Sequence, residues 1–180
     1  MMRTNRKWFT TALALSFIAG LILLAPKPSL AQEKAQMAKE GDLSGTHSFS
    51  GTFKATKIGD DLLLVTSENL GLIVSDSGAG PFNDLSGRCM SQVLYVKGVG
   101  RNQGHCVYLD RAGDQWLLEF EAPAQKLGAA TQHGTVKYLG GTGKFAGVRG
   151  EGEYAYTNLR PSADGTYQGY SKFKGHYRLE

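Results

Sequence analysis

The strongest constraint on this chain is a run near its C-terminus in which two kinds of residue alternate without a break. Tyr167, Gly169, Ser171, Phe173, Gly175, Tyr177 and Leu179 share one parity, and Gln168, Tyr170, Lys172, Lys174, His176 and Arg178 share the other. A period of two puts successive side chains on opposite faces of a β-strand, so one face packs and the other is wetted. Residues 45–56 repeat the pattern, with Gly45, His47, Phe49, Gly51, Phe53 and Ala55 against Thr46, Ser48, Ser50, Thr52, Lys54 and Thr56. Glycine between aromatic residues on a packed face predicts tight strand bends, as a closed barrel requires.

Between these ends, short runs rich in β-branched and aromatic residues are cut by Gly, Asp and Asn, with no helix-period segment of useful length. They predict strands near 61–67, 70–76, 91–98, 104–110, 115–121, 132–138 and 151–157. Nine candidates close into an eight-stranded antiparallel barrel if one is a short edge or a continuation of its neighbour. Closure also removes the exposed edges that an open sheet would have to protect. A β-sandwich is the alternative. The barrel domain is expected over 44–180. Residues 32–43 are polar and lack an apolar stripe, which predicts a flexible tail.

The first 31 residues follow a different logic. Arg3, Arg6 and Lys7 precede seventeen uncharged residues, Trp8 to Leu24, after which Pro26 and Pro28 stop any helix. Ser29 and Ala31 supply the small residues of a cleavage site before Gln32, so 1–31 reads as a signal peptide and the mature chain as periplasmic or secreted. Seventeen apolar residues lie at the lower limit for a membrane span, and no stable membrane insertion is expected after cleavage. Without the leader the 20 Lys and Arg fall to 16, level with the 16 Asp and Glu. The basic sequence pI of about 9.0 therefore belongs to the leader, and a neutral mature chain offers no footprint for nucleic acid.

Export also bears on Cys89 and Cys106, the chain's two cysteines. In an oxidising compartment they are expected to form one structural disulfide, worth about 3 kcal/mol for a loop of this length. A redox role would call for a Cys-x-x-Cys at a helix start, which is absent. Gly140-Gly141-Thr142-Gly143-Lys144-Phe145 resembles the start of a phosphate loop, but Phe145 stands where Ser or Thr would hold magnesium and no helix follows. Gly150 and Gly152 open a strand rather than a dinucleotide-binding turn. His47, His105, His133 and His176 lack ligand spacing, and the Asp110 to Asp114 turn supplies too few oxygens for calcium. No metal and no cofactor is expected. The pairs Glu119 with Glu121 and Glu151 with Glu153 read as surface charge, because Trp116, Leu118 and Phe120 occupy the packed face. No nucleophile elbow occurs, so no catalytic residue is assigned.

The segment Tyr138 to Gly147, with Gly140, Gly141, Gly143, Lys144, Phe145 and Gly147, followed by Val148, Arg149 and Gly150 and a strand, resembles the glycine-rich turn of the allene oxide cyclase and dirigent superfamily. The chain is also similar to exported bacterial proteins of unassigned function that share this turn, a cysteine pair and an Asp-x-x-Gly-Asp turn. The resemblance implies a closed eight-stranded barrel that works by confinement and positioning in an apolar cavity. The expected function is binding of a small apolar molecule in the lumen. The candidate lining residues are Phe49, Phe53, Trp116, Leu118, Phe120, Tyr154, Phe173 and Tyr177. The alternatives are a cyclase or isomerase that confines a reactive intermediate, and a structural, envelope-associated homo-oligomer that buries outward aromatics such as Tyr170.

Overall fold

A computed structural model describes residues 37–159 and 164–180. The expected signal peptide and the first residues of the expected tail lie outside these. The described residues form eight strands: β1 (Glu40–Ile58), β2 (Leu62–Ser75), β3 (Leu85–Val96), β4 (Val99–Leu109), β5 (Gln115–Lys126), β6 (Thr131–Gly141), β7 (Val148–Asn158) and β8 (Thr166–Leu179). A single 3₁₀ turn, Gly143–Phe145, lies between β6 and β7. Each strand pairs antiparallel with the next, and β8 pairs with β1, so the sheet is a closed barrel and the sandwich is excluded.

Several boundaries differ from the sequence reading: β3 starts at Leu85 rather than near 91, β5 runs on to Lys126 rather than ending near 121, and two further differences bear on the lumen. Runs 61–67 and 70–76 are one strand, β2, because Glu68 and Asn69 between them keep extended pairing with both neighbours, and so does Gly71, which faces Phe49 and Gly87. Its missing side chain makes room for the His47 ring, whose Cδ2 would lie 2.7 Å from a Cβ at that position. The N-terminal end of β1 also reaches four residues into the expected tail. Glu40 pairs with Arg178, and Leu43 is buried.

Barrel width follows from the register. Passing from partner to partner, Gly51 leads through Asn69, Cys89, Cys106, Leu118, Tyr138, Gly150 and Tyr177 to Gly41, back on β1. Moving from Gly51 to Gly41 is a stagger of ten residues over eight strands. A stagger this large tilts the strands and widens the lumen.

One end of the barrel, the floor, is filled. Phe82, from the loop between β2 and β3, packs 4.8 Å from Trp116, 5.0 Å from Tyr177 and 5.6 Å from Phe145, ring centre to ring centre. Leu85, Phe145 and Val148 are fully buried there. The glycine-rich motif and the aspartate turn cooperate to close this end. Asp110 accepts the backbone N–H groups of Ala112 and Asp114 and pairs with the Lys144 ammonium at 2.9 Å, while Asp114 accepts the Lys144 backbone N–H. Gly143 has φ +53 and lies against the Asp114 carboxylate, a place and a conformation that exclude a side chain. The motif that resembles a phosphate loop therefore serves to seat Phe145 in the floor.

Candidate functional site

Above the floor the barrel is hollow. A cavity of about 730 Å³ runs from Trp116 up to Leu127 and Leu159 in the turns at the opposite end, the mouth. This volume is in the range of sites for drug-sized molecules. The lumen stays open although aromatic residues point into it from several strands, and the register shows why. Phe49 faces Gly169, Phe173 faces Gly45, Tyr108 faces Gly87, Phe120 faces Gly104 and Tyr154 faces Gly134. Each ring leans over the bare backbone of the neighbouring strand. A Cβ would come within 2.9 Å of the Phe49 ring at Gly169 and within 2.6 Å of the Phe120 ring at Gly104. These glycines have no positive φ. Their contribution is space, for a neighbour's ring and for the close approach of a neighbouring strand's carbonyl, such as Met90 O at Gly104 and Thr157 O at Gly169, and cross-strand covering of glycine by aromatics is a known stabilising pairing.

Of the residues expected to line the lumen, Phe49, Phe53, Trp116, Leu118, Phe120, Tyr154 and Phe173 do so. Tyr177 instead belongs to the packed floor, where its ring meets Phe82. Cys89 and Cys106 are direct cross-strand partners joined by a disulfide, and both line the cavity. The Tyr108 hydroxyl lies 3.4 Å from Cys89 Sγ.

Polar groups form one edge of the lumen. Ser67 and Ser91, opposite each other on β2 and β3, are joined by a 2.7 Å hydrogen bond. Asn69 Nδ2 donates to the Tyr167 hydroxyl at 3.1 Å. Asn69 and Tyr167 stand on strands either side of β1 and both pair with Gly51, so the absence of a side chain there lets them meet. Asn69 Oδ1 and Asn102 Oδ1 are buried without a hydrogen-bond partner among the described residues. His47 is 8% exposed, with its ring 5.0 Å from Phe49 and edge-on to Tyr108 at 5.4 Å. Its Nε2 is likewise unpartnered, and burial lowers its pKa to about 4, so the ring is neutral at ordinary pH. Burial pushes the hydroxyls of Tyr154, Tyr156 and Tyr167 up from the usual tyrosine range.

The remaining sequence candidates lie outside the lumen. His105, His133 and His176 are exposed, and no cluster of potential metal ligands occurs among the described residues. Glu121 pairs with Arg101, Glu153 with Lys174, and Glu119 borders a shallow outer groove of about 450 Å³. The lumen as built can hold an uncharged molecule by shape and by a few hydrogen bonds.

No family model and no curated protein matches the chain. Among solved structures it is similar to a pterocarpan synthase dirigent protein, with 10% identity, coverage of 81% of this chain and 90% of that one, and a TM-score of 0.48.

The sequence reading missed the polar edge because it drew candidates only from apolar residues. A signal was present. Leu63, Val65, Ser67 and Asn69 share one parity on β2, so an inward assignment for Leu63 carries Ser67 and Asn69 inward with it.

Proposed function

We propose that this protein binds a small, largely apolar molecule in the barrel lumen. The observation that carries the reading is the hollow half of the barrel, about 730 Å³ walled by rings that lean over glycines instead of filling the centre. A barrel meant only as a scaffold gains stability by filling its interior, since each unfilled space loses packing contacts. The cysteine pair and the leader sequence support an exported protein, and no helix among the described residues is long and apolar enough to cross a membrane.

The test is titration with 1-N-phenylnaphthylamine, an uncharged probe that brightens in apolar sites. Trp116 lines the cavity and is the only tryptophan beyond the leader, so its emission reports on the same space. Saturable one-to-one binding is expected. Val93→Trp, which fills the lumen, is expected to abolish it, and Gln92→Trp, one residue away on the outer face, to leave it intact. A signal that does not saturate, or that survives Val93→Trp, would show that the lumen is not a binding site.

A second reading, confinement of a reactive intermediate, is favoured by the tyrosine hydroxyls in apolar surroundings. Tyr156, whose hydroxyl burial makes still harder to ionise, can donate a hydrogen bond to an oxygen that gains charge.

A further inference from the structure

The lumen's lining says more about its occupant than that it is apolar. Every strand alternates inward and outward residues, and charges are frequent on the outward parity: Glu68 and Arg88 on β2 and β3, Arg101 and Glu121 on β4 and β5. None is found on the inward parity at the cavity. Among the described residues no Asp, Glu, Lys or Arg lines the lumen, over more than thirty positions drawn from all eight strands and from the turns at the mouth. The lining is nonetheless not purely hydrocarbon. Ser67, Ser91, Asn69 and Tyr167 gather on one wall, held by the hydrogen bonds described above. Phe120, Tyr154 and Phe173, on strands β5, β7 and β8, supply aromatic wall.

We propose that the occupant is an uncharged amphiphile whose single oxygen-bearing end, an alcohol in the simplest case, seats at the Ser67, Asn69 and Tyr167 edge, and that the lumen rejects the ionised counterpart of the same molecule. This rests on the hollow-lumen reading above. A hydroxyl both donates to and accepts from the Ser67, Ser91 and Tyr167 hydroxyls of this edge, which Asn69 holds in place through its hydrogen bond to Tyr167. A carboxylate in the same place brings a full charge into a low-dielectric space with no cation to pair it, and desolvation outweighs its hydrogen bonds. His47 does not rescue it. The ring is neutral, and its Nε2 is turned into the wall over Gly71 rather than toward the centre.

The experiment is displacement of bound 1-N-phenylnaphthylamine at pH 8 by dodecan-1-ol and by dodecanoate, two molecules of equal chain length, each kept below its aggregation limit. The alcohol is expected to displace the probe at a concentration at least tenfold lower than the carboxylate. Asn69→Leu is expected to weaken displacement by the alcohol about tenfold, and Thr66→Ala, on the outer face of the same strand, to leave it unchanged. Equal or better displacement by dodecanoate would overturn this proposal while leaving the lumen a binding site. Equal displacement by the alcohol from wild type and from Asn69→Leu would remove the polar edge as its seat. Failure of the probe itself to bind saturably would instead strike the hollow-lumen reading, and the two failures are thereby told apart.

Discussion

At His47 and Gly104 single atoms decide how the lumen is built. His47 titrates near 6.5 in an unfolded chain and near 4 in the barrel, because burial penalises its charged form. Between those values the unfolded state takes up a proton that the native state refuses. Stability from this site is therefore complete above about pH 6.5 and is lost as pH falls toward 4, by about 3 kcal/mol in all. Urea unfolding across that window, compared between wild type and His47→Leu, checks it: the variant is expected to show a shallower decline, and parallel curves would assign the loss to other groups. At Gly104 a Cβ would meet the Met90 carbonyl oxygen of β3 and lie 2.6 Å from the Phe120 ring. Gly104→Ala should push that ring toward the lumen and destabilise the barrel by roughly 1–3 kcal/mol, read from the urea midpoint, with weaker probe binding because the cavity shrinks.

Among the elements, the linked turns at the floor are the most exacting. Asp110 is half-buried, and although burial raises its carboxyl pKa, the Lys144 ammonium and the N–H groups of Asp114 and Ala112 outweigh this and hold it below the usual carboxylate range. Its contribution is thus present above the ordinary aspartate pKa and lost as pH falls through the lowered one. Asp110→Ala is expected to cost about 1–2 kcal/mol, less than for a fully buried network because the pair is partly solvated. Lys144→Met should cost less, since the two backbone hydrogen bonds survive. Equal losses in the two variants would mean that the ion pair, rather than the turn, carries the stability. How much of this was legible differs by element. The alternation in 45–56 and 167–179 marked β1 and β8 and their inward faces, because period two survives any tertiary setting. The break expected at Glu68 and Asn69 failed because polar residues that end a strand and polar residues that stand within one look alike in sequence. Phe82 passed unnoticed, since a loop aromatic has no periodicity to reveal that it plugs a barrel.

For the whole molecule, closure and stagger settle whether there is a site at all. Eight strands with a stagger of ten residues enclose more space than the inward side chains occupy once their rings lean over glycines, and the floor plug confines that space to one end. The probe and alcohol titrations act at this scale, because they ask whether the enclosed volume is used. The sequence by itself determined the all-β class, the parity of each clear strand, the cysteine pair and the charge balance of residues 32–180, since these depend on local period and composition. Only the tertiary structure decided that the lumen is hollow, that Tyr177 belongs to its floor, and that Asn69 meets Tyr167 across Gly51. Those facts depend on which residues face one another between strands, and register is set by the packing of the closed barrel rather than by any one strand's own pattern.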